Sequence, residues 1–221
     1  MGRLRVGVLI SGRGSNLQAL IDAAAEPSYP AEIVTVICNQ PGARGLERAE
    51  QAGLSTETID YRTFEGREAF DAALTAALES AGVGLVCLAG FMRLLTEGFV
   101  AHWHDRMINI HPSLLPLFPG LDTHARALAA GVKLHGCTVH YVRSEMDSGP
   151  IVGQAAVPVL TGDTPERLAA RVLEAEHQLY PHCLRLIAEG RTAIEGDSVA
   201  IEGAGAPPAM LVNPAPNRSR G

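Results

Sequence analysis

Two kinds of apolar pattern take turns along this chain. Leu4–Ile10, Ile33–Cys38 and Val83–Ala89 are short apolar runs without alternation. Such runs suit strands of a parallel sheet covered on both faces. Between them the period changes to that of a helix. Asn16–Ala25 carries Leu17, Leu20 and Ile21 at helical spacing, and Gly45–Ala52 reads as a short helix closed by Gly53. Arg67–Ser80 places Phe70, Leu74, Ala77 and Leu78 on one face, with Gly82 just beyond its end. Ser55–Ile59 alternates only weakly. Strand and helix in this order predict βαβ units: an α/β fold with an open, mostly parallel twisted sheet and helices on both faces.

After Gly90 the pattern loosens. Thr96–Ala101 reads as a short helix and Arg106–Ile110 as a brief strand. His111–Pro119 holds three prolines and predicts a rigid loop. Asp122–Ala130 is a short helix ended by Gly131. Cys137–Arg143 and Ile151–Val159 are strands separated by the loop Ser144–Pro150. Thr164 and Pro165 mark a helix start, and Leu168, Val172, Ala175, Leu179, Cys183 and Leu186 carry one apolar face for six to seven turns. Arg191–Ile194 and Val199–Ile201 flank a hairpin turn.

Composition narrows the class. The chain has 221 residues, enough for one good-sized domain, read here as residues 1–202. Residues 203–221 shift to Gly, Ala, Pro, Asn and Arg and read as a disordered tail. A formal charge of −6 opposes a nucleic-acid or anionic-membrane surface. No apolar run approaches a membrane span, and the N-terminus has no signal-peptide pattern. Cys38, Cys87, Cys137 and Cys183 form no C-x-x-C pair and read as buried reduced thiols, which points to a cytoplasmic protein.

Three places carry candidate chemistry. Ser11-Gly12-Arg13-Gly14-Ser15-Asn16 lies between the first strand and the first helix, where exposed N–H groups form a phosphate cradle. Position 17 is leucine, so this is no dinucleotide fingerprint, and no Walker lysine follows. A plain tight turn is the bland alternative. Asn109 and His111 alternate with Ile108 and Ile110 and so share one side of a strand end. An amide beside an imidazole can hold an oxyanion and move a proton; a structural histidine in a proline loop would look the same. Asp147 is either a turn residue or a partner that orients His111 and favours its charged form. His102, His104, His124, His135, His140, His177 and His182 have no spacing that suggests a metal site, and no metal is expected.

Ser11-Gly-x-Gly-Ser-Asn16, Ala89-Gly-Phe-Met-Arg93, Asn109-Ile-His-Pro-Ser-Leu-Leu-Pro116 and Asp147-x-Gly-Pro150 occur in that order. With these motifs the chain resembles the phosphoribosylglycinamide formyltransferase family, over roughly residues 4 to 202. The resemblance implies formyl transfer from 10-formyltetrahydrofolate, as co-substrate, to a phosphoribosylglycinamide amine in purine biosynthesis. Asn109, His111 and Asp147 match the family's catalytic trio. Gly14, Ser15 and Asn16 match the loop around the substrate phosphate, and Glu176 an acidic residue touching the same substrate. Arg67, Met92, Arg93, Leu94, Leu95 and Asn109 match the folate site. The implied partners are small molecules, with the chain as monomer or homodimer. Asp122 departs from the family, where a histidine is frequent, and Cys137-Thr138 varies a usual neighbourhood.

Formyltetrahydrofolate deformylase shares the trio but usually carries an N-terminal regulatory domain, for which a strand beginning at residue 4 leaves no room. A methionyl-tRNA formyltransferase calls for an extra C-terminal domain and a basic face. A non-catalytic phosphosugar-binding domain would explain the glycine loop and leave Asn109, His111 and Asp147 without a role.

Overall fold

In the computed structural model, which describes residues 2–203, 205 and 211–214, seven strands form one sheet in the order β3-β2-β1-β4-β5-β6-β7. The first half is parallel: β1 (Leu4–Ile10), β2 (Ala31–Cys38), β3 (Thr56–Thr58), β4 (Leu85–Leu88) and β5 (Met107–His111). The last two, β6 (Leu134–Tyr141) and β7 (Ile151–Pro158), add antiparallel. Six helices connect and cover them: α1 (Ser15–Ala24), α2 (Arg44–Gln51), α3 (Arg67–Ser80), α4 (Glu97–His102), α5 (Thr123–Ala129) and α6 (Pro165–Ala188). A separate hairpin, β8 (Thr192–Glu195) with β9 (Ser198–Ile201), follows α6.

The sheet splits the interior into two cores. On β1, Val6, Val8 and Ile10 face one side and Leu9 the other. On β4 the split is Leu85 and Cys87, with Ala89 just beyond the strand, against Val86 and Leu88. The first core is closed by α1, α2 and α6 through residues such as Leu17, Leu20, Leu168 and Val172. The second is closed by α3 and α4 through Phe70, Leu74, Leu78, Phe99 and Trp103. Both faces of the central strands are therefore dry, which is why their sequences read as unbroken apolar runs.

Element boundaries differ from the sequence reading in instructive ways. The fifth strand runs on through His111, one residue beyond the predicted end at Ile110; its ladder with β6 continues to the pair His111–Thr138. The sixth strand starts at Leu134, since Leu134 and His135 pair with Pro158 and Val157. A polar start hid those residues from an apolar-run criterion. The tail read as residues 203–221 lies mostly outside the described residues. In the described piece, Asn213 Nδ2 donates to the carbonyls of Lys133 and Val159 at 2.6 and 2.8 Å.

Strand order sets the place of a site. The chain leaves β1 toward β2 on one side and returns to β4 on the other, so a crevice opens over the carboxyl ends of β1 and β4. Ligands of open α/β sheets bind at such a switch point. The loops after β1, β4 and β5 all end there.

Candidate active site

The loop after β1 is braced from below. Gly14 has φ 69°, and a Cβ at this position would lie 2.6 Å from the Gly45 Cα. Gly45 N–H donates to the Gly12 carbonyl at 2.9 Å. The second glycine of the motif is thus required by contact between two backbones, with α2 as the wall, in addition to any ligand. Gly12, by contrast, has open space where a side chain would stand. Ser15 begins α1, and Asn16 Nδ2 donates to Glu176 Oε2 on α6 at 2.7 Å. Glu176 is buried, and burial pushes its carboxyl up against the opposing effects of Asn16 and His111. The four residues expected around the phosphoribosyl substrate therefore converge.

The segment after β4 is pinned at both ends. Met92 N–H donates to Ser11 Oγ at 2.7 Å, and Thr96 N–H donates to the buried Asp71 at 2.7 Å. Between these anchors Met92 and Leu94 are exposed. Arg93 turns outward and stacks its guanidinium 4.0 Å over the Tyr61 ring. Arg67, at the start of α3, lines a cavity of about 970 Å³ with Asp71, Leu94, Leu95, Thr96 and Met146. Of the expected folate residues, Arg67, Leu94 and Leu95 line this open trough, while Met92, Arg93 and Asn109 lie outside its lining; its size suits a small organic ligand.

Asn109 and His111 stand on β5, and Asp147 reaches them from the loop between β6 and β7. His111 Nδ1 lies 3.3 Å from Asp147 Oδ1, and His111 Nε2 lies 3.0 Å from the Phe118 carbonyl. Both ring nitrogens face acceptors, and only a doubly protonated ring donates to both together. Asp147 itself has φ 50°, and its Oδ2 accepts from Gly120 N–H at 2.7 Å. Burial raises its carboxyl, but the His111 ring, the Gly120 N–H and nearby His140 outweigh burial and leave it below the ordinary carboxylate range.

Sequence reasoning gave no positioning role to four residues whose contacts the fold reveals. His140 sits opposite Asn109 across the β5–β6 ladder. Its Nδ1 faces the carbonyls of Tyr141 and Ser148 at 3.0 and 3.1 Å, so the proton belongs there. Its Nε2 then accepts from Asn109 Nδ2 at 3.3 Å and fixes which way that amide points. Burial holds His140 below the ordinary histidine range. Ser11, Asp71 and Arg48 likewise act through contacts with residues far away in sequence. A single sequence gives no pairing across a ladder or between loops, so none of these contacts had a readable signal.

Other expectations find plainer places. Asp122 is exposed, with φ 55°, and caps no helix N–H with its side chain. Thr138 is fully buried; its hydroxyl donates to Ser113 O at 2.7 Å and accepts from Leu115 N–H at 3.0 Å, anchoring the proline loop. His124 and His135 stack edge to face at 5.3 Å; burial, then His124, pushes His135 down to about 4. All four cysteines are free and buried, with Cys87, Cys137 and Cys183 pushed up to about 12 by burial, so none is a poised nucleophile. Among the described residues, no helix is long and apolar enough to cross a membrane.

Comparison with known proteins places this geometry. The formyl transferase family model matches residues 4–184. Phosphoribosylglycinamide formyltransferase of Escherichia coli is 44% identical over 205 residues, covering 93% of this chain and 97% of that protein. The trifunctional purine biosynthetic protein adenosine-3 of Bos taurus is 52% identical over 188 residues, 85% of this chain, which spans only 19% of the length of that relative. The crystal structure of glycinamide ribonucleotide transformylase 1 from Symbiobacterium toebii superposes with a TM-score of 0.88 at 51% identity, over 90% of this chain and 94% of that one.

Proposed function

The chain belongs to the formyl transferase family, among the phosphoribosylglycinamide formyltransferases, and from that premise we propose how its residues move a formyl group from 10-formyltetrahydrofolate to the primary amine of 5'-phosphoribosylglycinamide. The observation that carries the reading is the seat of His111. It is held between the Asp147 carboxylate and the Phe118 carbonyl, at the end of the strand that also bears Asn109.

The amine attacks the formyl carbon and a tetrahedral centre forms with an oxyanion. Asn109 has one amide N–H committed to His140, and the other is free for that oxygen. His111 turns its Nε2–H from the Phe118 carbonyl to the same oxygen. The bond between the formyl carbon and the folate N10 then breaks. The attacking nitrogen gives up one proton and N10 takes one, so no net proton is consumed. Asp147, ionised at neutral pH, keeps His111 oriented and relays that proton through water. No covalent enzyme intermediate is required, because an amine and an amide are simply held in line.

Binding follows the two sides of the crevice. Gly14, Ser15 and Asn16 take the phosphate end of the acceptor, and Glu176 its ribose or glycinamide polar groups. Arg67 and the segment Met92, Arg93, Leu94 and Leu95 take the folate, with Asn109 at its formyl end. These residues form one domain. The deciding assay follows absorbance of a formyl-folate with and without glycinamide ribonucleotide. Turnover only with the ribonucleotide, yielding the formylated amine, supports the transferase; formate release at full rate without it sinks the reading in favour of a deformylase.

A further inference from the structure

Beneath the crevice one hydroxyl touches the ends of two strands. Tyr180 on α6 is fully buried, and its Oη lies 3.0 Å from the Leu88 carbonyl and 3.3 Å from the Ile108 carbonyl. A phenol has one proton, so the two carbonyls share its donation. Burial, then the neighbouring Cys87 thiol, hold the phenol well above the ordinary tyrosine range, so the group stays a donor.

These carbonyls stand at the last rung of the β4–β5 ladder, where Leu88 pairs with Asn109. The Ile108 carbonyl belongs to the peptide that enters Asn109. The Leu88 carbonyl belongs to the peptide that leaves β4, and the N–H of that peptide, from Ala89, donates to the Leu9 carbonyl on β1 at 2.9 Å. Gly90 follows with φ 75° and turns the chain toward Met92. The folate segment and the strand end with Asn109 and His111 thus both depart from the point that Tyr180 holds. One turn earlier on the same face of α6, Glu176 accepts from Asn16 at 2.7 Å. A single helix face sets the loop after β1 and the ends of β4 and β5 in one frame.

Strand pairing does not need this hydroxyl. Leu88 and Ile108 already belong to the β4–β5 ladder, and Tyr180 reaches them from within the first apolar core. Phenylalanine would fill the same space and leave no buried donor to satisfy, so the hydroxyl calls for a role besides packing.

We propose that Tyr180 is a positioning residue for formyl transfer: its hydroxyl fixes the offset between the β4 end, which leads into the folate segment, and the β5 end, which carries Asn109 and His111. The proposal rests on the transferase reading for the name of the reaction. A misplacement of about 1 Å between the formyl carbon and the groups that meet its oxygen is enough to cost about a hundredfold in rate.

The test compares wild type with Tyr180→Phe and with Tyr29→Phe. Tyr29 is buried too, and its hydroxyl donates to the Pro181 carbonyl at 2.7 Å, so the second variant also takes one hydrogen bond from α6 but touches neither strand end. Both variants melt lower, by about 2–10 °C. Only Tyr180→Phe loses kcat, by about tenfold to a hundredfold, with KM for formyl-folate and for the ribonucleotide close to wild type. If Tyr180→Phe keeps wild-type kcat, or Tyr29→Phe loses as much, the hydroxyl serves stability alone and the proposal falls. A second arm needs no turnover. Amide NMR spectra of the full chain without substrates show shifts at Ala89, Gly90 and the Asn109 side-chain amide in Tyr180→Phe, while Ser15 and Asn16 stay in place. An unmoved Asn109 side chain refutes the positioning role. If the wild type instead releases formate without the ribonucleotide, the transferase reading alone fails, and the same kcat comparison on that reaction still decides the role of Tyr180.

Discussion

Replacing Gly14 with alanine separates packing from ligand approach in the loop after β1. The added methyl meets two penalties in the folded chain. At φ 69° an L-residue pays about 1–2 kcal/mol for the left-handed conformation. Its Cβ also stands 2.6 Å from the Gly45 Cα, a backbone atom that moves only if α2 moves. Overpacking of this kind costs about 1–3 kcal/mol. Together they remove about 2–5 kcal/mol from a stability of about 5–15 kcal/mol, so the variant folds but melts early. At roughly 2–4 °C per kcal/mol for a chain this long, Tm drops by about 4–20 °C. Gly12→Ala is the control, since its methyl enters open space at an ordinary φ and shifts Tm by about 2 °C at most. Gly45→Ala sets its methyl 2.5 Å from Ile10 Cδ1, 3.0 Å from the Gly12 carbonyl and 3.2 Å from the Gly14 Cα, so it shares the Gly14 contact and the double variant is non-additive. Thermal melts of wild type and the four variants decide the matter. If Gly14→Ala melts within 2 °C of wild type, or Gly12→Ala loses as much, the two backbones are not in contact and Gly14 is there for the ligand alone.

Other expectations concern the catalytic cluster. His111→Ala lowers kcat by about 10²–10⁴-fold with little change in either KM; steady-state turnover within tenfold of wild type would remove His111 from the chemistry. Asp147 is held below the ordinary carboxylate range, so its contribution to stability is complete above an unfolded value near 3.9 and fades as pH falls through the folded one. The Tm gap between wild type and Asp147→Asn therefore closes on acidification below about pH 4, and a gap that stays constant down to pH 2 contradicts the pairing. Glu176 has the opposite sign: its raised carboxyl means the folded chain loses stability as pH rises above about 4.3. Glu176→Gln keeps an acceptor for Asn16 and should melt above wild type at pH 7 while binding the acceptor more weakly; a lower Tm refutes this. His140→Phe leaves the Asn109 amide without its partner, and kcat falls about tenfold to a hundredfold while formyl-folate KM holds.

The fold was legible in the sequence because dry parallel strands announce themselves as apolar runs. Leu4–Ile10 and Arg67–Ser80 appear where the periodicities put them. The strand end at His111 was not, since a polar residue followed by proline reads as loop, and only the ladder to Thr138 extends the strand. The trio was legible as residues and as a motif. The second layer was not: His140, Ser11, Asp71 and Arg48 act on partners 31, 81, 25 and 35 residues away, and spacing says nothing of such pairs. The Gly14 reading was incomplete for the same reason, because its wall belongs to α2.

The sheet that parts the two cores has a consequence for how each substrate would be felt in the interior. The acceptor side of the crevice rests on α1 and α6, above the first core; the folate side rests on α3 and α4, above the second. Strands β1, β2, β4 and β5 carry residues of both. Amide hydrogen exchange should then give two footprints. A formyl-folate analogue slows exchange along α3 and the segment before α4, and the ribonucleotide slows it at the start of α1 and the middle of α6. The amides of the central strands exchange slowest only when both ligands are present, since those strands feel both halves of the crevice.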